Sequence, residues 1–282
     1  AKAAGATMAV QLNHAGRKGS TGCHAIGFDG QSVPEEQGGW RTVCPSANAY
    51  GSLARPRALS VDEIHTIVDQ FRDAAWRAMN IGFDAVEVHA AHGYLLSQFL
   101  DPLINERDDE YGGSFDNRVR MLVEVVDAIR SVVPDTMPVL VRVSATDWAA
   151  GGWDLDQTVE LAKILKAHGV DLIDVSTGGL IPDVTIPVKP DYQVPFAEQV
   201  RSRAGIPTTA VGLITKPKQA KKILKSGAAD AVEIGRAALR DPYWPLRAAN
   251  KLDVPVEEAP YQPPYLRGAF PVSYTHLRAH ET

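Results

Sequence analysis

Cysteine is scarce: Cys23 and Cys44 are the only two in 282 residues. They form no CxxC pair, and two thiols do not make a disulfide framework. No apolar run is long enough for a membrane helix, and no secretory signal pattern occurs. Neither sign of charge dominates, and a net charge of −5 gives no reason to expect binding to nucleic acid or an anionic membrane. Two signatures of chemistry are also missing. One is Gly-x-Gly-x-x-Gly, which a doubly wound dinucleotide-binding sheet would place after its first strand. The other is His-Glu-x-x-His, the mark of a zinc hydrolase. What remains is ordinary globular composition, 45% hydrophobic and 22% charged. A soluble, cytoplasmic protein is expected, long enough for one large α/β domain or two small ones.

Both ends depart from this pattern. The chain opens at Ala1, without Met, inside Ala-Lys-Ala-Ala-Gly, which has the form of a helix tail with Gly5 just past its end. Residues 271–282 (PVSYTHLRAHET) break the composition and resemble translated adapter or cloning sequence, so His276 and His280 are set aside. The expectation is a gene fragment in which residues 1–270 form a partial domain and residues 271–282 a non-native tail.

Between the ends one unit recurs. Residues 7–12, 83–89, 139–143, 170–175, 207–211 and 229–234 are each a short strand, and helices separate them from residue 60 onward. Ser60 with Glu63 has the form of a capping box. Ile64, Ile67, Val68, Phe71, Ala75, Ala78 and Met79 then keep helical spacing to Gly82. Ser114 with Asn117, and Asp154 with Gln157, mark two further helix starts. Residues 18–59 show little periodicity and are rich in Gly, Pro and Ser; loops that long usually cover a site or are disordered. Within them Trp40 reads equally well as a lid residue or a surface anchor. Strands alternating with helices imply a parallel sheet covered by helices. The glycines cluster after the last two strands, as Val211-Gly212-Leu213 and Ile234-Gly235-Arg236. A (β/α)₈ barrel builds its phosphate site there, from the loops after strands seven and eight. The predicted fold is therefore an α/β TIM barrel, incomplete, with strands three to eight present and the first two missing.

The polar residues at the strand ends form a sharp set. In residues 83–89, Phe83, Ala85, Glu87 and His89 share one face, and Val86 and Val88 the other. His92 and Tyr94 follow in the turn. Gln11 ends the first strand. Arg142 alternates with Val141 and Val143 and so points inward, where a guanidinium is costly without an anion. That anion is either Glu87 on the neighbouring strand or a cofactor carrying delocalised negative charge. Two histidines three residues apart also leave a metal site open, with His14 as a recruit, although no third ligand stands at familiar spacing. A non-catalytic interaction protein on the same scaffold is a further alternative. Asp109-Glu110-Tyr111-Gly112-Gly113-Ser114 reads as a structural turn.

Several of these segments follow one family in order: QLNHAGRK, PSA, GFDAVEVHAAHGYLLSQFLDPLINERDDEYGGSFDNRVRMLVEVV, VRVSATDW, VGLI and IGRAALRDPYW. The chain resembles the old yellow enzymes, NADH:flavin oxidoreductases, over nearly all of residues 8–270. His-Ala-Ala-His is similar to the thermophilic-like ene-reductase branch. The resemblance implies an FMN flavoprotein that takes electrons from NAD(P)H and passes them, by a ping-pong cycle, to the C=C bond of an enone-type substrate. It also implies a role for each residue. Gln11 would bond the flavin pyrimidine edge, and Arg142 would lie near N1 and C2=O. Gly212 and Gly235 would admit the phosphate, with Arg236 as countercharge. His89 and His92 would bind the substrate carbonyl oxygen, and Tyr94 would deliver a proton. Arg267, in Tyr265-Leu266-Arg267-Gly268, would reach into a neighbouring protomer of a homodimer or homotetramer. No metal is implied. Dienoyl-CoA reductases share most of these motifs and stay open as an alternative.

Overall fold

In the computed structural model, which describes residues 2–23 and 29–270, eight strands and eight helices follow one another. In chain order they are β1 (Ala9–Leu12), β2 (Val43–Cys44), β3 (Arg57–Ala58), α1 (Val61–Asn80), β4 (Ala85–Ala90), α2 (Leu95–Leu100), α3 (Phe115–Arg130) and β5 (Val139–Ser144). Then come α4 (Leu155–Ala167), β6 (Leu172–Ser176), α5 (Val194–Ala204), β7 (Thr208–Ala210), α6 (Pro217–Ser226), β8 (Ala231–Val232), α7 (Arg236–Arg240) and α8 (Trp244–Lys251). Six strands form one sheet in the order β1-β4-β5-β6-β7-β8, every pair parallel. Strand order follows chain order without reversal, unlike a doubly wound sheet. Among the described residues no ladder joins β1 to β8.

The two faces of the sheet follow from alternation. Val86, Val88, Val139, Val141, Val143, Ile173 and Val175 are buried under Met121, Val125 and Ile129 of α3 and Leu161 and Leu165 of α4. Each such side chain contributes about 1.5–3 kcal/mol when withdrawn from water. The opposite face carries the polar residues, and register aligns them. Gln11 stands beside Glu87, and His89 beside Arg142, which in turn lies beside Asp174 and then Thr209.

The helix starts lie where the caps place them. Ser60 and Glu63 form the reciprocal capping box of α1, Ser114 caps α3 through Asn117 N, and Asp154 caps α4 through Gln157 N. The helix tail expected before Gly5 is instead a 3₁₀ turn, Lys2–Ala4, tied down by Lys2 to Gly82 O and Asp84. In the turn at residues 109–114, Asp109 accepts from Tyr111 N at 3.1 Å and from the Arg107 guanidinium. Residues 18–59 contain the small ribbon β2–β3, and the buried Arg17 ties them to the loop after β6. Its guanidinium donates to Ala49 O at 3.2 Å and Leu180 O at 2.6 Å. Trp40 is exposed. The expected non-native tail, with His276 and His280, lies outside the described residues.

Candidate active site

At the end of β4 the chain turns through two left-handed residues, His92 (φ 57°) and Gly93 (φ 75°), before Tyr94 opens α2. A histidine rarely adopts this conformation, so the surroundings must hold it. They do so from every side. Ser144 Oγ accepts from His92 N at 2.9 Å, and Lys18 Nζ donates to His92 O at 2.9 Å and also to Gly179 O. Gln98 donates to Gly93 O at 2.7 Å. The turn at Gly178 and Gly179 packs against this one backbone to backbone: a Cβ on Gly179 would lie 2.8 Å from His92 Cα.

The turn brings three rings together. The His89 and His92 centroids are 5.2 Å apart and nearly perpendicular, and Tyr94 lies 5.1 Å from His89. Burial lowers the pKa of His89 to about 4, with the Arg142 charge adding to it. His92 falls to about 3, through burial first and then Arg142, His89 and Lys18. Both imidazoles are thus neutral near pH 7. In His89, Nδ1 accepts from Ala91 N at 3.2 Å, so the ring proton sits on Nε2. Its Nε2 is not a buried orphan and has no protein partner among the described residues. His92 Nε2 lies 2.7 Å from Ser176 Oγ. Lys18, whose ammonium sits 3.9 Å from the Tyr50 ring centroid, is itself lowered to about 8 by burial and then by Arg17.

Beside the rings is an ionic cluster. Arg142 Nε stands 2.9 Å from Asp174 Oδ2, an ion pair in poor hydrogen-bond alignment, which leaves both atoms without a true hydrogen bond. Arg142 Nη2 donates to Glu233 at 3.1 Å. Glu87, the partner considered from sequence, is instead bonded by Gln11. Register explains the difference, since Arg142 lies beside Asp174 on β6 and Glu87 beside Gln11 on β1. Burial raises the pKa of both Glu87 and Asp174, and the Glu233 carboxylate adds to it in each. Glu87, Asp174 and Glu233 lie close enough together to share a cation, but the Arg142 guanidinium already supplies countercharge to two of them. Among the described residues no third ligand joins His89 and His92, and His14 Nδ1 accepts from Gly16 N instead.

A cavity of about 210 Å³ opens from this cluster, lined by Arg142, Ser176, Gly212, Gly235, Arg236 and Arg240 among others. Gly212 has φ 123°, a conformation that favours glycine. Gly235 leaves open space where a Cβ would stand. Arg236 and Arg240 have no hydrogen-bond or ion-pair partner among the described residues, and Arg142 Nη1 is also unpaired. Two guanidinium groups without a protein carboxylate among the described residues, Arg236 and Arg240, beside an open glycine, fit a ligand bearing a phosphate.

The structure therefore gathers His89, His92 and Tyr94 on one turn, and Arg142, Gly212, Gly235 and Arg236 around one cavity. Gln11 reaches the same sheet face through Glu87. Arg267 is apart, exposed on the 3₁₀ segment Pro263–Gly268 and bonded to no residue of the cavity. Sequence reasoning missed Lys18, Ser176 and Gln193. Lys18 stood inside a quoted motif, and Ser176 shares its alternating face with Asp174.

Comparison with known proteins identifies the family. The family described as NADH:flavin oxidoreductase / NADH oxidase matches residues 1–254. An NADPH dehydrogenase of Geobacillus thermodenitrificans is 46% identical over 265 residues, which are 94% of this chain and 71% of that protein. The structure of 2-naphthoyl-CoA reductase superposes with a TM-score of 0.78 at 27% identity, covering 89% of this chain and 39% of that one. Morphinone reductase superposes with a TM-score of 0.69 at 32% identity, covering 90% of this chain and 68% of its own.

Proposed function

The chain is an oxidoreductase of the NADH:flavin oxidoreductase / NADH oxidase family, that of the old yellow enzymes, and from that premise we propose that it is an FMN-dependent ene-reductase. It would use NAD(P)H to reduce the activated C=C bond of α,β-unsaturated carbonyl compounds in a ping-pong cycle. The observation that carries this reading is the juxtaposition of two neutral imidazoles and a phenol with a cavity that Arg142 lines together with Arg236 and Arg240, the last two without an ion-pair partner among the described residues.

FMN would be held by Gln11 and Arg142 at its ring and by Gly212, Gly235 and Arg236 at its phosphate. When bound, the reduced flavin would supply the hydride for the β-carbon of the substrate. His89 and His92 orient the substrate by donating to its carbonyl oxygen. Negative charge grows on that oxygen as the C=C bond is reduced, so fixed donors stabilise the transition state more than the ground state. Neutral imidazoles suit this task because they hold the same donor hydrogens across the physiological range. Tyr94 delivers the proton to the α-carbon. Arg142, paired with Asp174 and Glu233, keeps the inner wall from repelling an electron-rich cofactor.

The six parallel strands are best read as strands three to eight of a (β/α)₈ barrel, whose first two would pair with the free edges of β1 and β8. A homodimer or homotetramer in which Arg267 crosses to a neighbour belongs to the same reading, as does a cytoplasmic site of action. No helix among the described residues is long and apolar enough to cross a membrane. The likeness to 2-naphthoyl-CoA reductase favours one second reading, the barrel portion of a reductase acting on unsaturated CoA thioesters.

Reconstitution with FMN followed by anaerobic reduction tests both. The proposal expects a yellow protein that NADPH bleaches and 2-cyclohexenone re-oxidises. A protein left colourless refutes the cofactor, and re-oxidation by an enoyl-CoA alone supports the second reading.

A further inference from the structure

We propose that Ser176 sets the tautomer of His92: its hydroxyl donates to Nε2, leaving the ring proton on Nδ1 as the hydrogen that His92 offers to a carbonyl oxygen. The inference rests on the reading of His92 as a substrate-binding donor and says which of its nitrogens does the binding.

The two histidines are fixed in different ways. His89 accepts a backbone N–H at Nδ1, so its own proton stands on Nε2. Among the described residues the His92 ring has no backbone partner, and its one hydrogen bond is Nε2 to Ser176 Oγ at 2.7 Å. A neutral imidazole has one donor and one acceptor nitrogen, and a serine hydroxyl can serve either. The direction of this bond therefore depends on where the single Ser176 proton goes. Two acceptors compete for it, His92 Nε2 at 2.7 Å and Gln193 Oε1 at 3.3 Å. Gln193 Oε1 already receives the Thr177 hydroxyl at 2.7 Å. An amide oxygen can accept twice, so distance decides, and the much shorter bond directs the proton to His92.

The orientation of the Gln193 amide does not alter the result. With the amide turned over, its NH₂ would donate to Ser176 Oγ and Thr177 Oγ1, and the Ser176 proton would again be free for His92. Ser176 and Gln193 are each 4% exposed, so little of either side chain faces solvent. His92 Nδ1 has no protein partner among the described residues and is not a buried orphan, which leaves it available to a ligand. The backbone of His92 is meanwhile held by Ser144 and Lys18, so the ring cannot evade the constraint by moving its turn. Ser176 acts through His92 and is a positioning residue.

Nitrogen-resolved NMR of the full chain labelled with ¹⁵N-histidine, at pH 7 and without substrate, reads the tautomer directly. The spectrum of His92→Asn identifies the His92 signals. The expected result is an Nδ1–H ring in the wild type, a shift toward Nε2–H in Ser176→Ala, and the wild-type pattern restored in Ser176→Thr. Binding of 2-cyclohexenone to the FMN-loaded protein should weaken about tenfold in Ser176→Ala and recover in Ser176→Thr, as for one lost hydrogen bond. An Nε2–H or doubly protonated ring in the wild type overturns the assignment, as does an Nδ1–H ring that persists in Ser176→Ala. The tautomer is read without turnover. A chain that shows the expected pattern yet reduces no enone refutes the proposed reaction and leaves this assignment standing.

Discussion

Replacing Gly93 by alanine tests how firmly the His92 turn is built. Gly93 sits at φ 75°, and a Cβ there would fall inside contact distance of Gly179 O and 2.9 Å from Leu180 Cα. Both neighbours are backbone, so no side chain can swing aside. The left-handed conformation costs an alanine about 1–2 kcal/mol, and forcing an extra methyl into a packed site adds about 1–3 kcal/mol. Together these make about 2–5 kcal/mol, a large part of the roughly 5–15 kcal/mol that separates folded from unfolded chains. Relief by moving the Gly178–Leu180 backbone would sacrifice the bonds from Ser144 Oγ to Gly178 O at 2.8 Å and from Arg17 to Leu180 O at 2.6 Å.

Gly113 is the internal control. It has φ 79° but no atom within 4 Å of a Cβ. Gly113→Ala should therefore show the conformational cost alone, about 1–2 kcal/mol. Urea unfolding of the two variants beside the wild type reads the difference as a shift in midpoint at unchanged slope. Gly93→Ala should unfold at clearly lower urea than Gly113→Ala. It should also lose enone binding, because the same displacement moves the His92 ring. Equal midpoints for the two variants would refute the claim that the turns at Gly93 and Gly179 interlock.

Three further outcomes are expected. His89→Ala or His92→Ala should keep FMN and slow enone reduction by about 10²–10³, the usual loss for one oxyanion donor; stopped-flow rates equal to wild type would remove the role, and Tyr94→Phe should likewise slow turnover of a weakly activated enone without loss of flavin. Asp101 is raised to about 8 by burial, then by the hydrogen bond and charge of Asp147, so the stability tied to its protonated form is present below about pH 4 and lost as pH rises through 8. Asp147→Asn removes the like charge and should flatten that decline, so a melting-temperature profile between pH 4 and 9 as steep as wild type would refute the coupling. Arg267→Ala should weaken substrate binding or dimer formation in an ultracentrifuge, and if it changes neither, the reach into a neighbouring protomer is abandoned.

How much of this was legible in the sequence depended on distance along the chain. His89, His92 and Tyr94 could be read because they share one strand end and one turn, so their proximity is local. Arg142 could be read because β5 alternates strictly, placing Val141 and Val143 under the helices and Arg142 on the other face. The caps at Ser60, Ser114 and Asp154 were legible for the same reason, since a cap is a contact across three residues. The partners of Arg142 were not. Asp174 and Glu233 meet it through the register of β5 on β6 and the position of the chain just past β8. Register is a tertiary property that no single strand encodes. Ser176 shows where more could have been extracted. Leu172, Asp174 and Ser176 alternate with the buried Ile173 and Val175, so both polar groups were bound to share the Arg142 face. That alternation could place Ser176 near the histidines but could not say which nitrogen it would meet. The answer needed the left-handed turn at His92, which swings the ring back across the ends of β5 and β6 until Nε2 stands over Ser176 Oγ.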